Sequence, residues 1–202
     1  MATKDGIDVD ISDDDRPYTP DDLLKIINAP SGGLSMLPSD AYNEVYPNIL
    51  LGEEAIAKQR VQLQKLGVTH VLNTAEGKDD GYHVHTNHVM YRRVGMEYLG
   101  IPATDIMSFD LSKYFQKSAD FIEDALAGGG KILVNCKVGA SRSATIVLAF
   151  LMLKRHLPVQ DAVRLVREKR EICPNDGFLQ QLCDLNERLK KRGHFLRKNE
   201  KD

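Results

Sequence analysis

Apolar residues along this chain fall into two kinds of pattern, continuous runs and helically spaced positions. Continuous runs predict buried strands at residues 68–75, 96–103 and 131–135, and a strand broken by Pro47 at 43–51. Helical spacing predicts helices over residues 21–27, 53–66, 111–126, 159–170 and 176–191. Because strands and helices alternate, the pattern predicts an α/β fold with a central, mainly parallel sheet flanked by helices.

The longest uninterrupted apolar run covers residues 146–153, which is only eight residues. A helix that crosses a membrane needs roughly 20 apolar residues. We therefore expect this run to form a helix in the protein core. No membrane partner is expected.

Charge divides the chain into three parts. Residues 1–22 contain eight Asp and only two basic residues, whereas the stretch from Arg188 onward is rich in Lys and Arg. Segments of such composition cannot form a core. The predicted organisation is an acidic disordered tail at residues 1–19, one domain at 20–192 and a basic tail at 193–202.

Composition narrows the classes of function. With 42% hydrophobic and 28% charged residues the chain matches a soluble globular protein, and its net charge of −2 disfavours a general nucleic-acid binder. The N-terminal residues contain no apolar signal sequence, so secretion is not expected. The three cysteines, Cys136, Cys173 and Cys183, form no CxxC pair. That spacing disfavours a disulfide framework and a zinc site, and it favours the reducing cytoplasm or nucleus.

The most informative stretch follows the strand predicted at residues 131–135. Cys136 stands at the end of that strand, and Arg142 lies six residues later at the start of the next helix. Between them are the mostly small or polar residues Lys137, Val138, Gly139, Ala140 and Ser141. In such a loop, successive backbone N–H groups and the helix N-terminus bind phosphate oxygens. We therefore predict that residues 137–142 bind a substrate phosphate.

Three side chains of this stretch have predicted roles. The planar guanidinium of Arg142 can hold two phosphate oxygens. The same positive environment lowers the pKa of Cys136 toward the nucleophilic thiolate. The hydroxyl of Ser143 can stabilise that thiolate when it leaves. Attack by Cys136 on a phosphate ester gives a phosphocysteine intermediate and requires neither a metal nor another cofactor.

The group that leaves a phosphate ester needs a proton, so a carboxylic acid is expected near the loop. Asp105 follows the strand predicted at residues 96–103, at the edge of the sheet where functional loops gather. We therefore predict that Asp105 is the general acid. Asp110 is the competitor, but its place before the helix at 111–126 suits an N-cap.

Several segments resemble the atypical dual-specificity protein phosphatases, most closely their VHR-type members. The resemblance rests on CKVGASRS, on the upstream Asp105 and on REICPNDGFLQQLCDLNERL, and it covers roughly residues 20–192. It implies a protein tyrosine phosphatase-like fold and hydrolysis of phosphotyrosine and phosphoserine or phosphothreonine in proteins. The expected partners are phosphorylated proteins, MAP kinases among them.

The resemblance also assigns individual residues. It assigns the nucleophile to Cys136, the phosphate-binding arginine to Arg142, the loop hydroxyl to Ser143 and the general acid to Asp105. It further implies that Arg170, before the final helix, meets a second substrate phosphate; the alternative is an exposed charge at a helix end. Asn175, in the turn before that final helix, is interpreted as structural.

One residue departs from the family pattern. The family usually has His directly before the catalytic Cys, and this chain has Asn135. Asparagine forms hydrogen bonds but carries no positive charge. We therefore expect an active enzyme whose thiol pKa is higher and whose rate at neutral pH is lower, since one pKa unit corresponds to about 1.4 kcal/mol.

Asn135 also leaves a second function open, that of a pseudophosphatase that binds phosphoproteins with little or no turnover. Against that function stand Cys136, Arg142 and Asp105, which are all retained. A phosphatase for lipid or RNA phosphates is disfavoured, because Lys137 is the only other basic residue of the loop. The patterns predict no particular oligomeric state.

Overall fold

The computed structural model describes residues 16–195, so most of both predicted tails lies outside the described residues. Five strands form one sheet: β1 (Tyr42–Tyr46), β2 (Ile49–Gly52), β3 (His70–Asn73), β4 (Glu97–Gly100) and β5 (Ile132–Asn135). Their order is β1-β2-β5-β3-β4, and every neighbouring pair except β1–β2 is parallel. The predicted, mainly parallel sheet is confirmed, and β5 is its central strand.

Eight α-helices surround the sheet within the described residues. They are α1 (Pro20–Asn28), α2 (Glu54–Lys58), α3 (Arg60–Lys65), α4 (His88–Arg92), α5 (Phe115–Ala127), α6 (Arg142–Lys154), α7 (Val159–Lys169) and α8 (Asp176–Lys191). Short 3₁₀ turns occupy Ala29–Ser31 and Ser112–Tyr114. The helices predicted at 21–27, 159–170 and 176–191 are confirmed to within one or two residues.

The helices cover both faces of the sheet. Along β5, Ile132 and Val134 belong to the main core, which includes α1, α5, α6, α7 and α8, whereas Leu133 belongs to a smaller cluster with α2, α3 and α4. This alternation is the two-residue period of a β-strand buried on both faces.

Helix α6 is the most deeply buried helix of the structure. Its residues 142–152 are all buried, which confirms that the long apolar run is a core helix. Among residues 16–195, no helix has both the length and the apolar character that crossing a membrane requires.

Two predicted elements are divided in the structure. The break predicted at Pro47 within residues 43–51 is confirmed, but the chain also reverses there, because β1 and β2 form an antiparallel hairpin with Tyr46 opposite Ile49. The chain reverses at Pro47 and at Asn48, whose φ of 63° is a left-handed conformation that asparagine tolerates. The helix predicted at residues 53–66 is likewise split into α2 and α3 at Gln59 (φ −92°, ψ 68°).

The start of the helix predicted at residues 111–126 also differs from expectation. Leu111, not Asp110, occupies the cap position, and its own side chain makes no capping hydrogen bond. The first N–H of the turn, that of Ser112, donates instead to the side-chain oxygen of Gln181 at 2.9 Å. The carboxylate of Asp110 instead accepts a hydrogen bond from the Ser112 hydroxyl at 2.6 Å and pairs with Lys113 at 3.3 Å. The N-cap role expected for Asp110 is therefore wrong, although its charge does lie beside the first turn.

Contacts with the helical layer extend slightly beyond the predicted domain boundaries. Thr19 forms a capping box with Asp22 at the start of α1, and Arg16 pairs with the same carboxylate at 2.7 Å. At the other end, Phe195 packs against the main core, and a ring nitrogen of His194 lies 3.1 Å from the carbonyl oxygen of Met152.

Candidate active site

The loop at residues 136–142 joins the central strand β5 to helix α6. Cys136 is buried directly after β5, and Arg142 is the first residue of α6. The sulfur of Cys136 accepts hydrogen bonds from the Gly139 N–H and the Ser143 hydroxyl, each at 3.2 Å. The structure thus places two of the predicted site residues, Gly139 and Ser143, around the thiol of Cys136.

The surroundings of Cys136 favour its thiolate. Burial raises the pKa of this thiol, but the positive charge of Arg142 opposes it. Hydrogen bonds from the hydroxyl and N–H of Ser143 and from the N–H of Gly139 also stabilise the anion. Together they outweigh burial, so the pKa of Cys136 lies below its ordinary value. A thiolate in a partly neutralised, buried setting is the nucleophilic form of cysteine.

Gly139 is needed for the shape of the loop. Its φ is 74°, in the left-handed region that other residues rarely adopt. A Cβ atom at this position would also lie 2.5 Å from the backbone of Gly52, at the end of β2. The loop therefore rests directly on the neighbouring strand, and any larger residue would push it away.

Arg142 is held by backbone carbonyl groups. Its Nη1 donates to the carbonyl oxygens of Tyr82 and Ala103, at 2.8 and 2.9 Å. Its Nε is buried, forms no hydrogen bond, and lies 3.4 Å from a carboxylate oxygen of Asp105. Fixed through one terminal nitrogen, the guanidinium retains Nε and its second terminal nitrogen as an edge that can bind two phosphate oxygens.

Asp105 lies at the same site as the loop. One carboxylate oxygen accepts hydrogen bonds from the Ser141 hydroxyl and the Asn175 side-chain amide, both at 2.8 Å. The other oxygen is the one that faces Arg142. Asp105 and Cys136 line one cavity, whereas Asp110 is not among the residues that line it. Geometry therefore favours Asp105 over Asp110 as a proton donor to a group bound beside Cys136.

The other predicted loop residues divide into two groups. Val138, Ala140 and Ser141 line the cavity. The ammonium group of Lys137 is bound to the carboxylate of Glu54 and to the carbonyl oxygen of Asp80. Only the backbone of Lys137 can therefore contribute to phosphate binding in this arrangement.

Arg170 lies beneath the loop rather than on the surface. Its side chain is among the largest that are fully buried, with 1% exposed. Its guanidinium donates to the carbonyl oxygens of Gly139 (2.9 Å), Val138 (3.3 Å) and Asp40 (2.9 Å), and to the side-chain oxygen of Asn43 (2.6 Å). The exposed helix-end charge is wrong, because the side chain is buried. The geometry does not favour contact with a second phosphate, because the guanidinium is occupied in supporting the loop.

Asn135 is fully buried in a polar layer next to the thiol. Its amide nitrogen lies 3.4 Å from the side-chain oxygen of Asn73 and 3.5 Å from the carbonyl oxygen of Cys136. Its own side-chain oxygen makes no hydrogen bond. The backbone carbonyl is better satisfied, because it accepts from the Thr74 hydroxyl at 2.9 Å.

Asn175 is a site residue that the sequence did not reveal. Its side-chain oxygen caps α8 by accepting from the N–H of Phe178 at 3.0 Å, as its interpretation as structural implies. Its amide nitrogen is then free to donate to Asp105. An asparagine at a helix N-cap always has this spare amide, and that was the available signal.

The cavity above Cys136 has a volume of about 510 Å³. Its wall is completed by Leu37 and Met107 and by residues 173–176. Among residues 16–195 there is no group of three or more His, Cys, Asp or Glu side chains that could hold a metal ion.

The chain is similar in sequence to known proteins. The family model described as "Dual specificity phosphatase, catalytic domain" matches residues 49–188. The chain is 47% identical over 149 residues to human dual specificity protein phosphatase 26, covering 73% of this chain and 68% of the relative. It is also 47% identical over 150 residues to mouse dual specificity protein phosphatase 13B, covering 74% of each chain.

Solved structures agree with this result. The crystal structure of human DUSP28 matches with a TM-score of 0.65 and 30% identity, over 75% of this chain and 96% of that one. The human tyrosine phosphatase-like serine/threonine/tyrosine-interacting protein matches with a TM-score of 0.64 and 28% identity, over 74% and 97%. On this evidence the chain belongs to the atypical dual specificity phosphatases, protein phosphatases of the cysteine-based tyrosine phosphatase superfamily.

Proposed function

We propose that this protein removes phosphate from phosphotyrosine and from phosphoserine or phosphothreonine side chains through a phosphocysteine intermediate. The observation that carries the proposal is the Cys136 sulfur, which accepts two hydrogen bonds beside Arg142 and has a lowered pKa. A thiolate at the floor of an anion-binding loop is a nucleophile aimed at phosphorus.

In the first step the sulfur of Cys136 forms a bond to phosphorus, and the bond from phosphorus to the side-chain oxygen breaks. Arg142 and the loop N–H groups hold the phosphoryl oxygens. Protonated Asp105 gives its proton to the leaving oxygen. Hydrogen bonds from Ser141 and Asn175 to one oxygen of that carboxyl group hold Asp105 in place at the cavity.

In the second step water attacks phosphorus, and the bond from sulfur to phosphorus breaks. The Asp105 carboxylate accepts a proton from the water, and inorganic phosphate leaves. The Ser143 hydroxyl, 3.2 Å from the sulfur, stabilises the departing thiolate of Cys136. The enzyme then returns to its starting state.

The proposed substrates are phosphorylated proteins, with MAP kinases as the first candidates because of the resemblance in the motifs. The proposed location is the cytoplasm or the nucleus. It is supported by three free cysteines, of which Cys136 and Cys183 are buried.

The test is release of phosphate from a small aryl phosphate and from phosphotyrosine and phosphothreonine peptides. Cys136→Ser should lower kcat by roughly 10³-fold or more, because the nucleophile is lost. The matched control is Cys183→Ala, since Cys183 lies in the core and burial raises its pKa to about 12. The control should retain activity. Equal rates for wild type and Cys136→Ser would refute the proposed reaction.

A second candidate function is capture of phosphoproteins without turnover. Asn135 supports it, and so does the likeness to a human protein whose name describes it as phosphatase-like and interacting. The lowered pKa of Cys136 supports the enzyme instead. Tight phosphopeptide binding by the wild type, with no phosphate released over hours, would favour the second function.

A further inference from the structure

Large apolar side chains that are exposed gather around the catalytic cavity. Three of them line its mouth: Leu37 (64% exposed), Met107 (65%) and Val138 (40%). We call these three residues the apolar rim. Of the six other large apolar residues that are exposed between residues 16 and 195, three lie close to the rim in sequence: Leu34, Met36 and Ile106.

Exposed apolar groups that cluster mark a binding surface, because leaving them in water costs free energy that a ligand can recover. The rim is assembled from three separate parts of the chain: the segment between α1 and β1, the loop of Asp105 and the loop of Cys136. Clustering of this kind is not a by-product of one apolar stretch. The three other exposed apolar residues do not line the cavity: Val61 and Val89, on α3 and α4, and Tyr82, between β3 and α4. Isolated exposed apolar residues of this kind are expected of any protein surface.

The rim is tied to the catalytic residues. Val138 is two residues from Cys136, and its carbonyl oxygen is held by Arg170 at 3.3 Å. Met107 is two residues from Asp105, and its backbone rests on Gly177 so closely that a Cβ there would lie 2.0 Å from the Met107 carbonyl oxygen. A substrate whose phosphate lies against Cys136 would therefore bring its neighbouring residues onto the rim.

The charged residues at the mouth of the cavity also favour an apolar neighbour of the phosphate over a charged one. Among the described residues that line the cavity, Arg142 is the only cation, whereas Asp105 and Asp176 are acidic. Arg170 is buried under the loop and Lys137 is bound to Glu54, so neither extends toward a substrate. An acidic residue or a second phosphate beside the first would meet carboxylates and apolar groups.

We propose that the apolar rim binds a bulky apolar side chain next to the phosphorylated residue, so that the enzyme prefers singly phosphorylated segments with apolar neighbours over doubly phosphorylated ones. This inference rests on the proposed phosphatase function. A cavity of about 510 Å³ lies well within the range of sites that hold a ligand of several groups, which leaves room beside the phosphate.

The test compares phosphotyrosine peptides that differ only in the residues flanking the phosphotyrosine, which are Leu, Ser or phosphothreonine. For the wild type, kcat/KM should be about tenfold higher with Leu than with Ser, because one partly buried apolar side chain contributes that much. The phosphothreonine peptide should be no better than the Ser peptide. A small aryl phosphate, which has no neighbouring residues, gives the reference rate for each variant.

Two variants locate the preference. In the double variant Leu37→Ser, Met107→Ser the ratio of kcat/KM for the Leu and Ser peptides should fall to about twofold or less. In the matched control Val61→Ser, which removes an apolar residue 65% exposed on α3, the ratio should stay at its wild-type value. Equal kcat/KM for Leu and Ser peptides, or a preference that survives in the double variant, would overturn the inference.

The remaining outcomes are equally decisive. Turnover of the aryl phosphate without any peptide preference would overturn the rim alone, whereas absence of turnover on every substrate would overturn the proposed function itself. Faster hydrolysis of the phosphothreonine peptide than of the Ser peptide would contradict the inference that the charges at the mouth disfavour a second phosphate. The last comparison uses vesicles that contain a phosphatidylinositol phosphate. If kcat/KM for this lipid exceeds that for the Leu peptide and falls in the double variant, the rim binds lipid, and the inference of a peptide side chain is overturned.

Discussion

Asn135 lies next to Cys136, the proposed nucleophile, where a charge would have its greatest effect on the thiol. The residue is buried, its side-chain oxygen lacks a hydrogen-bond partner, and it contributes no positive charge to the thiol. The pKa of Cys136 is lowered nonetheless, by Arg142 and by the hydrogen bonds of Ser143 and Gly139. The loop thus stabilises the thiolate without the residue that the family usually places there.

Asn135→His should make the thiol more acidic. A protonated imidazole next to Cys136 would favour the thiolate, so the pKa of the thiol should fall further. Because activity requires the thiolate, the acidic limb of the kcat/KM profile should move to lower pH, by about one unit or less. The pH–rate profile of wild type and variant measures the shift. Asn135→Ala, which adds no charge, is the control, and an unmoved limb in Asn135→His would contradict the argument.

At the scale of elements, the start of α8 is coupled to the loop that carries Asp105. Asn175 provides the coupling, since one end of its amide caps the helix and the other donates to the carboxylate. The position of Asp105, the proposed general acid, is thereby fixed by a helix that begins 71 residues later in the chain. The coupling suggests a variant that separates the cap from the donor.

Asn175→Ser should preserve the helix and weaken the acid. Serine is a good N-cap but has no amide to reach Asp105, so the free energy of unfolding should change by about 0.5 kcal/mol or less. Turnover should fall several-fold for substrates with poor leaving groups and less for those with good ones. Asp105→Asn should show the same pattern with a larger loss.

Asn175→Ala provides the comparison for that experiment, because it removes the cap as well and should cost about 1 kcal/mol more. Denaturant unfolding and a series of aryl phosphates with different leaving groups measure the two effects. Equal losses for good and poor leaving groups in Asn175→Ser would show that Asn175 does not position the acid.

Local pattern accounts for the elements that could be predicted. The centre of the site could be predicted because its parts are consecutive in the sequence. They are the apolar run of β5, the small residues of the loop and the apolar length of α6. Pro47 predicted a break within residues 43–51, but the reversal of the chain at Asn48 was missed, because a break in the apolar pattern does not show in which direction the next strand runs. The burial of Arg170 depends on Asp40 and Asn43, which are about 130 residues away, and no local pattern reports such contacts.

At the scale of the whole molecule, Arg170 joins segments that are distant in sequence. Its guanidinium links the end of α7 to the loop at residues 136–142 and to the chain around the start of β1. It has no carboxylate partner among these contacts, so its role is to satisfy carbonyl groups that would otherwise be buried without donors.

Arg170→Met should therefore affect stability and phosphate binding together. Loss of the buried donors should lower the free energy of unfolding by roughly 2–4 kcal/mol. The loosened loop should also bind inorganic phosphate several-fold more weakly as a competitive inhibitor. In Arg170→Lys both the stability and the phosphate affinity should lie between those of the wild type and of Arg170→Met, because one ammonium cannot reach all four acceptors. Denaturant unfolding and the inhibition constant of phosphate test this prediction. Unchanged values of both in Arg170→Met would show that Arg170 does not support the loop at residues 136–142.

The two ends of the described chain meet at one recess. Arg16 and Tyr18 line it together with Gly193 and Phe195, and within residues 16–195 it shares no lining residue with the catalytic cavity. Chains with adjacent ends tolerate cyclisation and circular permutation. A fluorescent protein or an affinity handle attached directly at residue 16 or at residue 195 would leave from the same corner of the described domain, away from the cavity above Cys136. The domain is therefore a suitable module for reporters in which that cavity must stay accessible.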